Sequence, residues 1–419
     1  VKIAVVGGGS TYTPELIDGF ARLRDELPLT EIALVDPDVH RLDLVSGMAS
    51  RMLAHAGHPA TVLATTSVEE GVAGAQAVML QLRIGGQAAR DVDETLPLEC
   101  GCVGQETTGA GGLAKALRTV PVVLDIAEKI RTHAPDAWII DFTNPVGIVT
   151  RALLEAGHWA IGLCNVAIGF QRRFAANLGV APDRISLGHV GLNHLTWERS
   201  VLLDGVDVLP RLLDGHAEEI ARNIGLTAGL VRRLGVVPSY YLRYFYEHDL
   251  VVEEQRSKPS RAAEVAAMET TLLEMYADPS VNTKPELLGK RGGAFYSEAA
   301  VALIASLLGD RGDTQVVNLR NDGTLPFLAD EAVIEVPATI TATGATALPV
   351  EEVQPLFAGL IAHVTAYETL ALEAALHGGG ERVADALLAH PLIGQASLSD
   401  DLARRLIDAN RRFLPWANG

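Results

Sequence analysis

The chain has 419 residues, 48% of them hydrophobic, with a mean hydropathy of +0.20 and a formal net charge of −18. It is long enough for two well-buried cores and too apolar to be disordered. So negative a surface makes nucleic acid and anionic membrane poor partners, and an anionic small molecule would need arginines gathered locally against the general field.

Val1 leads straight into "VKIAVV", a strand, so no secretory leader is expected. "PELIDGFARLRDE" follows as a helix, with Pro14 in its first turn and apolar residues at helical spacing. Further strands are predicted at "EIALVD", "TVLATT", "AVMLQLR", "AWIIDFTN" and "WAIGLCN", with helices over 41–56 and 112–133 between several of them. Near-continuous apolar strands joined by helices make a parallel sheet covered on both faces. Ligands of such sheets sit beyond the carboxyl ends of the strands, which places Gly7, Asp36, Arg83, Asn144 and Cys164 along one rim. The stretch from about 84 to 111 reads as a long functional loop, with Arg83 and Arg90 facing that rim as substrate contacts.

Beyond about residue 170 the texture changes. "RISLGHVGLNHLTWERSVLLDG" and "QVVNLRNDGTLPFLADEAVIEVPATITATG" read as strands and turns. Helical patterns lie near 212–233, 260–276, 295–308, 351–376 and 398–413. The expected class is α/β, a Rossmann-like doubly wound parallel sheet over 1–168 joined to an α+β catalytic and oligomerisation domain over 169–419. The longest clean apolar run, 299–309, is short of a membrane span. Cys100, Cys102 and Cys164 are too few for a disulfide framework, and Cys100-Gly-Cys102 has no second pair to complete a zinc site. A soluble protein of the reducing cytoplasm is expected.

"VVGGGSTYTPELI" puts Gly7, Gly8, Gly9, Ser10 and Thr11 between the first strand and the first helix. Glycines there let backbone N–H groups approach a pyrophosphate at a helix N-terminus. Tyr12 stands where the third glycine of GxGxxG would be, and the turn alone is as readily structural. With Asp36 ending the second strand, where a carboxylate accepts from ribose hydroxyls, the context favours a dinucleotide, and NAD over NADP. "HVGLNHLTW" offers His189 and His194; on one continuous strand an odd separation sends them to opposite faces, so at most one meets the rim. A lone histidine is commonly structural and a lone cysteine commonly a small buried hydrophobe. Together Cys164 and His194 would make ligands for a divalent transition metal, but their spacing cannot bring them together. The aromatic run Tyr240 to Tyr246 reads mostly as an interface patch, in which one tyrosine of lowered pKa beside a cation could serve as a base.

In their order along the chain, "GGGSTYTPELI", "QETTGAGGLAKALRT", "FTNPVGIVT", "GLCNVAIG", "GLNHLTW" and "SYYLRYFY" resemble glycoside hydrolase family 4, from Val1 to about Pro326, and most of all its 6-phospho-β-glucosidases. This NAD-dependent family stands apart from the two-carboxylate glycosidases. The resemblance implies a lactate/malate dehydrogenase-like plan, NAD+ and Mn2+ as cofactors, and a homodimer or homotetramer. It implies that Cys164 and His194 bind Mn2+, which holds the hydroxyls on sugar carbons 2 and 3. NAD+ would take hydride from carbon 3; the ketone acidifies carbon 2, the metal stabilises the enolate, and Tyr241 removes the proton. The aglycone leaves, water adds to carbon 1 and the hydride returns. Asn165 matches β-acting members, whereas α-acting ones carry an Asp there that can protonate the leaving oxygen. Arg90 and Asn144 match sugar contacts, and Arg261, in "SRAAEV", matches an arginine that binds the 6-phosphate of a disaccharide or aryl glycoside. Tyr240 stands at a place expected to be less bulky. Ala110 and Ala167 replace usual prolines, which should loosen two loops without deleting a reactive atom. Another specificity within the family (an α-galactoside or α-glucoside), a malate- or lactate-type dehydrogenase and a non-catalytic dinucleotide sensor are the rival readings.

Overall fold

The computed structural model describes residues 1–293 and 295–418. Among these residues one sheet runs through the whole protein. Its strands are β1 (Lys2–Val6), β2 (Glu31–Val35), β3 (Thr61–Thr65), β4 (Ala77–Leu80), β5 (Trp138–Asp141), β6 (Ala160–Gly162), β7 (Ile185–Leu192), β8 (Leu195–Leu203), β9 (Val206–Asp207), β10 (Val237–Pro238), β11 (Asp313–Arg320), β12 (Val333–Thr341) and β13 (Gly344–Ala347). The first six are parallel in the order β3-β2-β1-β4-β5-β6, the doubly wound arrangement that binds ligands where the order reverses between β1 and β4. Their burial explains the parallel choice: β4 is buried at every position, and β1 and β2 at every position but the first.

The antiparallel half attaches to β6 through a single pair, Asn318 with Gly162, and β12 reaches β7 through another, Glu335 with Gly191. From there β7, β8 and β10 continue the sheet. The division expected at 168/169 falls inside the helix Val166–Leu178. Phe170 and Phe174 of that helix bury against Leu212 and Ile220 of the second half, so the helix packs with the later domain although it follows the last parallel strand.

Two other expectations change. Most of the stretch near 84–111 is helical, over Gly86–Glu99 and from Gly109 onward. The first of these helices has low apolar content and carries Pro97, and its start is set by Gly85 in the left-handed region (φ 84°), which hides it from periodicity. Ala110 and Ala167 lie in the first turns of the helices Gly109–His133 and Val166–Leu178 and are buried. Proline is tolerated in a first turn, so alanine there loosens no loop.

The helix Pro355–His377 is long and apolar enough, by length and composition alone, to cross a membrane. One side of it, with Phe357, Ile361, Val364 and Tyr367, is buried in the main core, which marks it as a core helix.

Candidate active site

A cleft of about 530 Å³ opens along the carboxyl ends of the parallel strands. Gly7 and Asp36 line it at one end, Gln81 and Arg83 at its middle, and Asn144, Asn165, His194 and Tyr241 at the other. Arg41, Arg83, Arg90 and Arg291 all face it, the local cationic focus that an anionic ligand needs in so acidic a protein.

At the first end the glycines act by letting chains touch. A Cβ on Gly8 would lie 2.8–2.9 Å from Leu34 and the Val35 nitrogen, and one on Gly9 would lie 2.8 Å from the Asp36 carboxyl. Their N–H groups are already used: Gly7 and Gly8 donate to Val35 O (2.9 Å each), and Gly9 donates to Asp36 Oδ2 (3.0 Å). The expected row of N–H groups aimed at a pyrophosphate is therefore tied to β2, and Gly7 and Ser10 are what this turn shows to the cleft. Thr11 is fully buried and donates to Glu269 (3.2 Å). Asp36 faces the cleft, and burial raises its pKa although Gly9 and Asp38 N–H groups bond it. Tyr12, in the missing glycine's place, donates to Gly293 O and lies under the Arg291 guanidinium (5.8 Å).

The other end is assembled from distant segments. His194 sits at φ 63° in the turn between β7 and β8, a left-handed position histidine adopts more readily than most residues. The turn, not strand alternation, aims His194 at the cleft, while His189 points into the interior, 2.6 Å from Glu198 and 3.0 Å from Glu335. His194 Nδ1 lies 2.8 Å from Thr107 Oγ1, and that hydroxyl donates its one hydrogen to Gln105 Oε1 (2.7 Å). Thr107 must then accept from Nδ1–H, which leaves the Nε2 lone pair free to ligate. Burial holds this imidazole neutral, with its pKa lowered to about 4.

β10 pairs with Trp197 and Glu198, so the Tyr240–Leu242 turn after it lands on the His194 turn. The rings of Tyr241 and His194 stack with centroids 3.6 Å apart and planes 10° from parallel. Cys164, just past the end of β6, has Val166, Asn193 and Tyr296 about it, and burial with the Glu335 charge raises its pKa to about 12. It lines a second groove and not the cleft itself, and lies close enough to Tyr241 and Tyr296 for the charges to interact. Burial and the Cys164 charge also push the Tyr241 phenol up, the opposite of the lowered pKa expected of a base. No three His, Cys, Asp or Glu side chains cluster as a metal cage among the described residues. Two protein donors, one soft and one borderline, leave an ion's remaining positions open to substrate oxygens, which fits a catalytic metal.

Asn144 and Asn165 both line the cleft, and Asn144 Oδ1 is buried without a hydrogen-bond partner among the described residues. Arg90 also lines the cleft, held by Glu94 (2.7 Å) and Glu106 (3.3 Å). Arg261 does not reach it. As the first residue of the helix Arg261–Ala277 it turns to Glu264 and donates to Lys290 O and Arg291 O (2.8 and 3.3 Å). Three residues were not singled out by sequence: Glu106, which pairs with Arg83, Arg90 and Lys115; Glu269, which joins Thr11, Arg41, Gln87 and Arg291; and Arg291 itself. Glu106 lay inside a quoted motif, but nothing local pointed to its three cationic partners.

Family comparison settles the kinship. Residues 2–180 match the family 4 glycosyl hydrolase model, and residues 189–393 match its C-terminal domain model. The chain belongs to glycosyl hydrolase family 4. It is 36% identical to the 6-phospho-beta-glucosidase of Escherichia coli, over 99% of this chain and 96% of that one. The Thermotoga maritima 6-phospho-beta glucosidase, solved with manganese, NAD+ and glucose-6-phosphate, superposes with a TM-score of 0.92 at 32% identity over 99% of both chains. Malate dehydrogenase from Cryptosporidium parvum superposes at 0.58 with 15% identity, over 90% of this chain and 98% of that one, a likeness of fold alone.

Proposed function

We propose that this protein hydrolyses 6-phospho-β-glucosides by transient oxidation at carbon 3, elimination and addition of water, with NAD+ and Mn2+ as cofactors. The observation that supports the proposal is the stacking of Tyr241 on His194 at one end of a dinucleotide-type cleft, with Cys164 close enough to Tyr241 for its charge to act on the phenol. The 6-phospho-β-glucosidases of similar sequence and the NAD+ and manganese in the Thermotoga structure support it. Gly7, Ser10 and Asp36 would face NAD+, and Cys164 with His194 Nε2 would hold Mn2+. When bound, NAD+ accepts and returns hydride at carbon 3, and Mn2+ supplies Lewis acidity and the positive charge that burial denies Tyr241.

Tyr241 takes the carbon-2 proton at its phenolic oxygen. Asn144 Oδ1 accepts from a sugar hydroxyl, and Arg90, held by two carboxylates, donates to another. Asn165 cannot serve as an acid toward the leaving oxygen, which suits a β-glycoside. Arg291, paired with Glu269, lies close enough to Arg83 and Arg90 to feel their charges, and a phosphate dianion would give the three a further common partner. We therefore assign the 6-phosphate to this cluster, with Arg261 bracing the segment that carries Arg291. Three unpaired thiols and a phosphorylated substrate agree with a cytoplasmic setting, and the family resemblance supports a homodimer or homotetramer.

The test is a panel of aryl glycosides of both anomers, with and without 6-phosphate, assayed with NAD+, Mn2+ and reductant. Turnover confined to 6-phospho-β-glycosides, without net NADH release, is the expected result. Preference for α-anomers, or stoichiometric NADH from a hydroxy acid, would contradict it.

A further inference from the structure

Where the parallel and antiparallel halves of the sheet join, a charged network lies under the metal-binding pair and takes no part in the reaction as proposed. Its core residues His189, Glu198, Glu335 and Asn318 are buried to within 1% exposure. His189 Nδ1 is 2.6 Å from Glu198 Oε1, and its Nε2 is 3.0 Å from Glu335 Oε1. Each ring nitrogen of His189 faces a carboxylate oxygen, so both donate and His189 stands as an imidazolium, while Glu198 Oε2 has no partner among the described residues. The other Glu335 oxygen accepts from the side-chain amides of Asn318 and Asn193, each at 3.0 Å. Three donors thus hold Glu335 as an ionised, acceptor-only group.

Asn193 carries this order to the site. Its side chain lies close enough to Cys164 to act on the thiol, and in sequence it directly precedes His194. An amide can turn either its oxygen or its nitrogen toward a neighbour. A carboxylate accepts only from the nitrogen, so Glu335 fixes which way Asn193 faces. The same contact anchors the turn that aims His194.

We propose that Glu335 is a positioning residue for the metal: through Asn193 it holds the His194 turn in place beside Cys164, and it places a fixed negative charge behind the cation. This rests on the assignment of Cys164 and His194 as Mn2+ ligands. Partners behind first ligands typically govern metal affinity by 10- to 100-fold.

The experiment titrates Mn2+ into full-length protein saturated with NAD+, reading free ion by electron paramagnetic resonance. In parallel, Co2+ replaces Mn2+, and the near-ultraviolet thiolate-to-cobalt absorption is recorded. Glu335→Gln and Asn193→Ala should each weaken Mn2+ binding by about 10- to 100-fold, with a diminished cobalt–thiolate band and unchanged NAD+ affinity. Asn193→Ala strands no buried charge, so it decides the matter if Glu335→Gln does not fold. Wild-type Mn2+ affinity in either folded variant would overturn the proposal, as would equal loss of NAD+ and metal binding. If wild type and Cys164→Ser bind Mn2+ alike, the ligand assignment itself fails, and that result is separable because it involves no Glu335 or Asn193 variant.

Discussion

The two ends of the cleft are built in opposite ways. The dinucleotide end is local: Gly7 to Thr13 fold on themselves and onto β2 through backbone bonds to Val35 O, Gly7 O and Ser10 O. The reaction end draws on Thr107, Cys164, His194, Tyr241 and Tyr296, tied by side-chain bonds and ring stacking across the sheet junction. A site of the first kind is fixed by chain geometry. One of the second kind is fixed by buried polar groups, and each of these costs heavily when a partner is lost. Damage at the reaction end should therefore cost chemistry and metal, whereas damage at the dinucleotide end should cost packing and cofactor affinity.

The largest effect is expected from Cys164→Ser, which removes the softest of the proposed ligands with little change in volume. Activity and metal binding should fall to near background while circular dichroism and NAD+ binding stay as in wild type. Mn2+-dependent turnover by that variant would erase the distinction between the two ends.

Next in size is the arginine cluster. Loss of a charge-assisted contact costs roughly 1.5–3 kcal/mol, or about 10- to 150-fold. Arg291→Ala should impose that loss on 6-phosphorylated substrates and spare unphosphorylated ones in kcat/KM. Arg261→Ala, which touches only the segment behind Arg291, should show a smaller selective loss. A larger loss from Arg261→Ala would return the phosphate to Arg261.

At the dinucleotide end, Gly8→Ala drives a methyl group against the β2 backbone. Overpacking of this kind costs about 1–3 kcal/mol. Calorimetry should show a lower Tm and weaker NAD+ binding, with Mn2+ affinity retained.

The smallest effect at neutral pH concerns His390, buried against the ring of Tyr367 (centroids 4.4 Å apart), with its pKa lowered to about 3. The unfolded chain takes up this proton near the ordinary histidine pKa of 6.5, and the folded protein does not. Stability from this group is present above pH 6.5 and is lost as pH falls toward 3. His390→Gln should flatten the dependence of Tm on pH in that window, and an unchanged slope would show that His390 is charged when folded.

The contrast also explains what could be read from sequence. Alternating buried strands and helices announce a doubly wound sheet, and Gly7 to Thr11 with Asp36 lie within single local patterns, so that end was legible. Even there the use of the glycine N–H groups was not, because their acceptor is the carbonyl of Val35, on another strand. Cys164, His194 and Tyr241 were found only through resemblance to a family, since no spacing rule joins residues brought together by the pairing of β10 with β8 and of β12 with β7. Arg261 was carried over from a motif match, and its direction was fixed by carbonyls that no motif describes. The buried pairings of Glu106, Glu269 and Glu335 left no local trace, because an acidic residue in sequence does not show which cations the fold will bring to it.

The central claim is that Tyr241 removes the proton on carbon 2 of the sugar. Hydrolysis in heavy water tests it directly, because direct displacement at carbon 1 never breaks that carbon–hydrogen bond. With NAD+ and Mn2+ present, the released sugar phosphate should carry deuterium at carbon 2 by nuclear magnetic resonance, and Tyr241→Phe should slow labelling and hydrolysis together. Sugar phosphate free of deuterium at carbon 2, released by enzyme that is turning over, would contradict both the mechanism and the role of Tyr241.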